Sequence, residues 1–523
     1  MVDALGAGAA AGLVAEALVL RMNPEVVQTV HGVLVGMPLW ASWGMLMVGV
    51  PLLIGLAVLE RLRPRSDRWA APELFALVFA AAAILSTVNA KLHTRLLARS
   101  AHRVLLQDAV AWSVAILIVL IGGAAVRRLG GGRRARIIFS VVMLILPMTR
   151  MTWAPTPLGQ YLEVAARPLG EPARRLLVIG LEGLDAKVLL ADAASSGYRN
   201  FARLREEGAR ATMVPHRPYL KWALWTSAAT GTYPGRHGVK AHRTWDLPMV
   251  FPETLRLLPW TPEGSRMILP WGLAEQRSPP PTSVPPLWAR LEASDVTTEV
   301  FGWPGSWGDD PALVPATELE TGASLEASMD ASLEAAIEAF PERRSEVWAA
   351  IVRDQARVDA ARAELVAGAG DVWIHLETLS LARRYHEPLR LRHTRERRFL
   401  ELVIELVDDQ LGALLGATDR GTLVAVVSPY GLAPPGAVER IKRLFGGGED
   451  WHTSAESCPN GLFILLGEGV EPGRLITEAR PPDVAPTLCY LLGLPVAQYM
   501  EGSVLVDAVE PGFLAEHPLR VVD

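Results

Sequence analysis

Apolar and polar positions divide the 523-residue chain into two parts with different rhythms. As far as Trp153 the apolar residues come in long runs, and beyond it they come in short runs separated by mixed stretches. A helix that crosses a bilayer needs about 20 mainly apolar residues. Residues 33–59 exceed that without one charge, and residues 70–90 and 109–126 are of similar quality. Two outer runs are interrupted, 4–20 by Glu16 and 137–153 by Pro147 and Arg150. The pattern predicts a transmembrane region over residues 1–153 of about five helices. The first run lacks the basic start of a signal peptide, so it reads as a retained helix.

A Pro-containing linker, residues 154–175, leads into the second part. There, short apolar runs alternate with helical stretches, the pattern of a mainly parallel sheet covered by helices on both faces. Strands are predicted at "LLVIG" from Leu176, "TEVFGW" from Thr298, "VWIHL" from Val372, "TLVAVV" from Thr422 and "LFILL" from Leu462. The acidic, Ala-rich residues 318–367 read as outer helices with solvated charges. In "DVAPTLCYLLGLPVAQYMEGSVL", Asp483 is placed to cap a core helix, Pro486 falls in its first turn and Gly493 can end it.

Charge separates the same two parts. Residues 1–153 hold 15 Lys+Arg against 7 Asp+Glu, a balance of +8, so the remainder carries −13 of the total of −5. An acidic domain lacks the cationic face that a polyanion needs, which excludes nucleic acid as a partner. Arginine accumulates in cytoplasmic loops. Arg61, Arg63, Arg65 and Arg68 mark one such loop, and Arg127, Arg128, Arg133, Arg134 and Arg136 mark another two spans later. Lys91, Arg95, Arg99 and Arg103 between them run against this assignment unless they lie on an interfacial helix. Five spans with the amino terminus inside place the second part outside the cytoplasm, on a cytoplasmic (inner) membrane. The two cysteines, Cys458 and Cys489, make neither a disulfide framework nor a zinc finger.

The stretch "KWALWTSAATGTYPGRHGV", from Lys221, carries the chemistry. With "LLVIGLEGLD", "PPLWARLEASDVTTEVFGWPGSW", "VVSPYG" and the Asp483 segment, in that order, it resembles the type I phosphodiesterase and nucleotide pyrophosphatase branch of the alkaline phosphatase superfamily. The resemblance covers residues 176–506 and implies one alkaline-phosphatase-like domain over residues 176–523. It also implies two divalent cations, usually zinc, and a Ser or Thr nucleophile. Carried over position by position, the pattern departs from the family. The turn aspartate falls at Glu182 and the nucleophile at Lys221. One Asp-His pair falls at Thr378 and Ala382, another at Pro429 and Tyr430, and a terminal histidine at His452.

A protonated ammonium has no lone pair for attack or for a metal. The substitutions therefore imply a pseudoenzyme with no catalytic residue and no expected cofactor, acting by binding or scaffolding beside other membrane or envelope proteins. Glu182 and Lys221 map to positions that share one metal, so they are expected to pair directly. Arg217, Lys221, His237 and Arg243 are candidates for holding an anionic or phosphate-bearing ligand. The alternative is a zinc- or manganese-dependent phosphodiesterase or phosphotransferase with a rebuilt site, drawing on His375, Glu377, His386, His452 and Glu456.

Overall fold

The computed structural model describes residues 2–62, 69–152, 164–186, 189, 198–241, 244–260, 268–270, 272–277, 282–304, 344–368, 370–385, 394–432 and 459–522. Arg243, His386, His452, Glu456 and Cys458 lie outside the described residues. The chain forms two compact units that do not follow chain order: Met1–Leu162 with Lys240–Pro279, and Glu163–Val239 with Pro280–Asp523.

The first unit contains α1 (Val2–Met22), α2 (Val30–Gly44), α3 (Val50–Leu62), α4 (Ala71–Leu92), α5 (Arg99–Arg128) and α6 (Arg133–Thr152). A π-helical turn, Met45–Gly49, joins α2 to α3 as one rod. α1, this rod, α4 and α5 are each long and apolar enough to cross a membrane. α6 forms over the fifth apolar run, with Arg133, Arg134 and Arg136 in its first turn and Arg150 near its end. α1 and α2 touch backbone to backbone. A Cβ at Gly12 would lie 1.8 Å from the Trp40 carbonyl oxygen, and one at Gly44 would lie 2.2 Å from that of Gly8.

Residues 240–279 pack with these helices rather than with the α/β part in which their sequence position put them. Backbone–side-chain bonding explains the difference. Asn23 accepts from the backbone N–H groups of Arg256 and Leu257 at 2.8 and 2.9 Å and donates to the Leu257 carbonyl at 2.8 Å. Asn89 treats Trp260 likewise, accepting at 2.7 Å and donating at 3.1 Å. Two asparagines thus do for this segment what a neighbouring strand does elsewhere. The Phe251 ring packs on Trp40, and Lys240 lies 3.4 Å from Glu25.

The second unit is built on a seven-stranded sheet. Its strands are β1 (Leu176–Leu181), β2 (Ala209–Met213), β3 (Thr298–Phe301), β4 (Asp371–Leu376), β5 (Leu423–Tyr430), β6 (Asn460–Leu466) and β7 (Leu475–Ala479). They lie in the order β3-β4-β1-β5-β6-β2-β7, and every pairing is parallel except those of β6 with β5 and β2. Successive side chains point to opposite faces. Accordingly Val178 joins one apolar cluster with Trp225, Trp303 and Trp373, while Leu177 and Ile179 join another with Ile374 and Val403. The covering helices include α7 (Lys221–Thr230), α8 (Arg344–Ala367), α9 (Thr378–Tyr385), α10 (Thr394–Gly416) and α11 (Val484–Leu491). Gly493 follows α11 at φ 74°, the left-handed end that its sequence predicts. Asp483 does not cap α11 through its side chain; its carboxylate accepts instead from the backbone N–H groups of Arg480 and Ser503, both at 2.8 Å.

Candidate functional site

Three neighbouring parallel strands, β4, β1 and β5, end side by side, so the residues that leave them converge. Gly180 and Leu181 of β1 are in register with His375 and Leu376 of β4. Glu182 follows β1, Glu377 follows β4, and Tyr430 is the last residue of β5. Lys221 opens α7, a helix that is buried from Ala223 to Thr230 and ends at Gly231 with φ 71°. A cation at a helix amino terminus opposes the helix dipole. A carboxylate beside it offsets that cost.

The structure supplies that carboxylate: Lys221 Nζ lies 2.6 Å from Glu182 Oε2, the direct pair expected from the sequence. Glu182 is buried, with 1% of its side chain exposed against 22% for Lys221. Its other oxygen accepts from the hydroxyls of Ser380 at 2.9 Å and Tyr430 at 3.0 Å. His375 Nε2 lies 3.3 Å from Glu182 Oε2, and its ring stands edge-on to Trp225. Lys221 is also 3.9 Å from Glu377, which pairs with Arg353 at 2.7 Å. Asp354 pairs with Arg357 at 3.4 Å and accepts from the backbone N–H groups of Glu377 and Thr378. Asp185 pairs with Arg383 at 2.9 Å.

Burial alone pushes the Glu182 carboxyl up, but the Lys221 ammonium and His375 outweigh it and hold the group well below the usual carboxylate range. Burial raises Glu377 as well, yet Lys221 and Arg353 together bring it below its ordinary value. His375 is pushed down by burial against the pull of Glu182. Asp354 is pushed up to about 6 by burial, with Arg357 opposing.

Among the described residues, the other mapped positions offer little to a cation. Ala382 is core, Pro429 has no side-chain donor atom, Thr378 is buried at the start of α9, and Tyr430 donates its proton to Glu182. Among the described residues, no group of three His, Cys, Asp or Glu side chains is arranged to hold a metal ion. Of the anion-binding candidates, Arg243 lies outside the described residues, and the contacts of His237 and Arg217 are with groups other than Lys221. His237 is fully buried, its Nδ1 accepts from the Val239 N–H at 3.1 Å, and its Nε2 lies 3.1 Å from Ser227 Oγ. Burial, reinforced by His216, lowers His237 well below the ordinary imidazole value. Arg217 donates to the Tyr219 hydroxyl at 3.2 Å. Ser380, Arg353, Arg357 and Arg383 are not singled out by the sequence. They lie on helices far along the chain and belong to no motif.

A family model described as type I phosphodiesterase / nucleotide pyrophosphatase matches residues 176–456. The chain belongs to that family. Its sheet and covering helices are accordingly the alkaline-phosphatase-like fold. Among solved structures, this phosphodiesterase-family chain is similar to the wild-type alkaline phosphatase PafA at 11% identity and a TM-score of 0.43, covering 66% of this chain and 100% of that one. It is similar to murine ectonucleotide pyrophosphatase / phosphodiesterase 5 at 12% identity and a TM-score of 0.39, covering 64% of this chain and 100% of the other. A 2-O GAG sulfatase is similar at 13% identity and a TM-score of 0.38, over 64% of this chain and 74% of that one. None of the curated proteins matches the chain.

Proposed function

We propose that this phosphodiesterase-family chain is a membrane-anchored pseudoenzyme that acts by binding or scaffolding in a membrane assembly, with its α/β unit outside the cytoplasm. The observation that carries the reading is the 2.6 Å contact between Lys221 and Glu182, which fills the mapped nucleophile and metal-ligand positions with an ion pair. An ammonium there repels a dication at close range. The surrounding charges support the same reading. Two divalent cations would bring four positive charges. Here Lys221, Arg353, Arg357 and Arg383 bring four, each against one of Glu182, Glu377, Asp354 and Asp185. The described residues therefore do not fit a two-metal centre, and no catalytic step is derived through one.

Orientation rests on the first unit. Asn23 after α1, Gly32 in α2 and Asn89 in α4 all meet the 240–279 segment, while Arg21 of α1, Asp108 of α5 and Arg150 of α6 form one ion cluster. These ends share one side of the bundle. The opposite ends of α3, α5 and α6 carry Arg61, Arg127, Arg128, Arg133 and Arg134, and the charge rule assigns that side to the cytoplasm, with Lys91, Arg95, Arg99 and Arg103 around the α4–α5 connection counting against it.

The test is hydrolysis of bis(p-nitrophenyl) phosphate by the full-length protein with added zinc or manganese. No turnover above the protein-free control is expected. Turnover that disappears on Lys221→Ala would overturn the reading in favour of a metal-dependent phosphodiesterase.

A further inference from the structure

We propose that the arginine-rich connection between α5 and α6 is a binding site for the headgroups of anionic phospholipids. Arg127 and Arg136 both lie over Trp69, each guanidinium carbon 5.7 Å from a ring centre. Trp69 is itself buried and packs edge-on against Phe139, with ring centres 5.1 Å apart. One anchored indole thus holds two cations at a common depth. Glu73 pairs with Arg127. Arg128, Arg133 and Arg134 are exposed and have no ion pair or hydrogen bond among the described residues.

Depth points to phosphate. Ile137 and Ile138 come one helical turn after Arg133 and Arg134 and are exposed, as is Ile121 on α5. A turn rises about 5 Å, so the arginines stand about that far beyond the apolar band, where headgroup phosphates lie. Helix polarity adds a second reason. Arg133, Arg134 and Arg136 open α6, whose first turn has no acidic residue, although a helix amino terminus disfavours cations. An anion there stabilises the guanidiniums and the helix end together. Membrane topology alone would require positive charge on this side, but not its placement over an aromatic ring or at a helix amino terminus. Exposed Leu129, Ile137 and Ile138 flank the arginines and suit acyl chains, which favours a lipid over a soluble anion.

The test uses the full chain reconstituted in phosphatidylcholine vesicles containing phosphatidylglycerol, then extracted into neutral detergent, with co-purifying lipid measured by mass spectrometry. Phosphatidylglycerol should be enriched over its share of the vesicle. Each surface arginine contributes about fivefold to anionic-lipid binding, so Arg128→Gln, Arg133→Gln and Arg134→Gln together should reduce it on the order of a hundredfold. Bulk lipid proportions in the wild type, or undiminished enrichment in the triple variant, would overturn the proposal. Should the triple variant fail to insert, the wild type decides alone. Screening shortens to roughly 3 Å at 1 M salt, so enrichment must fall there, and enrichment that persists counts against the site. Displacement of the lipid by millimolar inorganic phosphate would overturn the lipid in favour of a soluble anion.

Discussion

Glu182 in the α/β unit and Asn23 in the helical unit are both buried polar residues, yet different kinds of partner satisfy them. Glu182 is met by side chains from several elements: Lys221 on α7, Ser380 on α9, Tyr430 on β5 and His375 on β4. Asn23 is met by backbone groups, at Arg256 and Leu257 of one returning segment and at Val19 within its own helix. A network of side chains can be rewritten one residue at a time while the strands beneath it stay in place. A docking made of backbone groups ties together the register of everything that carries it. Side chains around Glu182 can therefore change while the α/β fold is kept, whereas the helical unit has little freedom where helix and segment meet.

That contrast can be broken at four points. The largest effect is expected for Gly12→Leu, since even a Cβ would stand 1.8 Å from the Trp40 carbonyl. Overpacking of this severity exceeds the usual ~1–3 kcal/mol, and the variant should yield no monodisperse protein in detergent. Recovery of a normal elution profile would show that α1 and α2 can separate without loss. Next comes Lys221→Ala, which leaves Glu182 buried without its cation and should cost roughly 3–5 kcal/mol. The 22% exposure of Lys221 argues for the lower end. The native carboxyl is depressed, so its contribution is present above the ordinary carboxylate range and is lost as pH falls toward the depressed value. Melting curves of the two proteins should accordingly converge in acid; parallel curves down to acid pH would contradict the pairing.

Smaller still is Asn23→Ala, which orphans two backbone donors and should cost roughly 1–3 kcal/mol. Its signature is faster proteolytic nicking within residues 240–279 in lipid nanodiscs, and an unchanged cleavage rate would mean that other contacts hold the segment. The smallest change expected is a gain. Burial pushes Asp371 up to about 6 while its carboxylate accepts from the Leu176 N–H at 2.8 Å. A raised carboxyl stabilises below the unfolded value and loses that contribution as pH rises toward 6. Asp371→Asn should stabilise the α/β unit by on the order of 1 kcal/mol at pH 7 and by nothing at pH 4. Equal stability at both would place the group in a wetter setting.

Much of the α/β unit is legible in the sequence because its signals are local. β1, β3, β4, β5 and β6 are short apolar runs, and each can be read from its own residues. β2 and β7 cannot, because "ARATM" and "LITEA" interleave polar residues, as strands at the less buried side of a sheet do. The Glu182–Lys221 pair is legible because two motifs fix both positions. The arginines that balance the other carboxylates are not, since a guanidinium on α8 or α9 looks like any solvated helix charge until the fold brings it in. Segment 240–279 is illegible for a similar reason: Asn23 and Asn89 carry no mark of the distant stretch of chain whose backbone they bind.

The most direct test of the central claim is the metal content of the full-length protein after dialysis against zinc and manganese, read by mass spectrometry. The full chain is required, because cutting the α/β unit away would strip residues 240–279 of the helices on which they pack. With Lys221 standing against Glu182, far less than one equivalent should remain bound. Retention of about one or two equivalents, the complement of a working two-metal centre, would contradict the account.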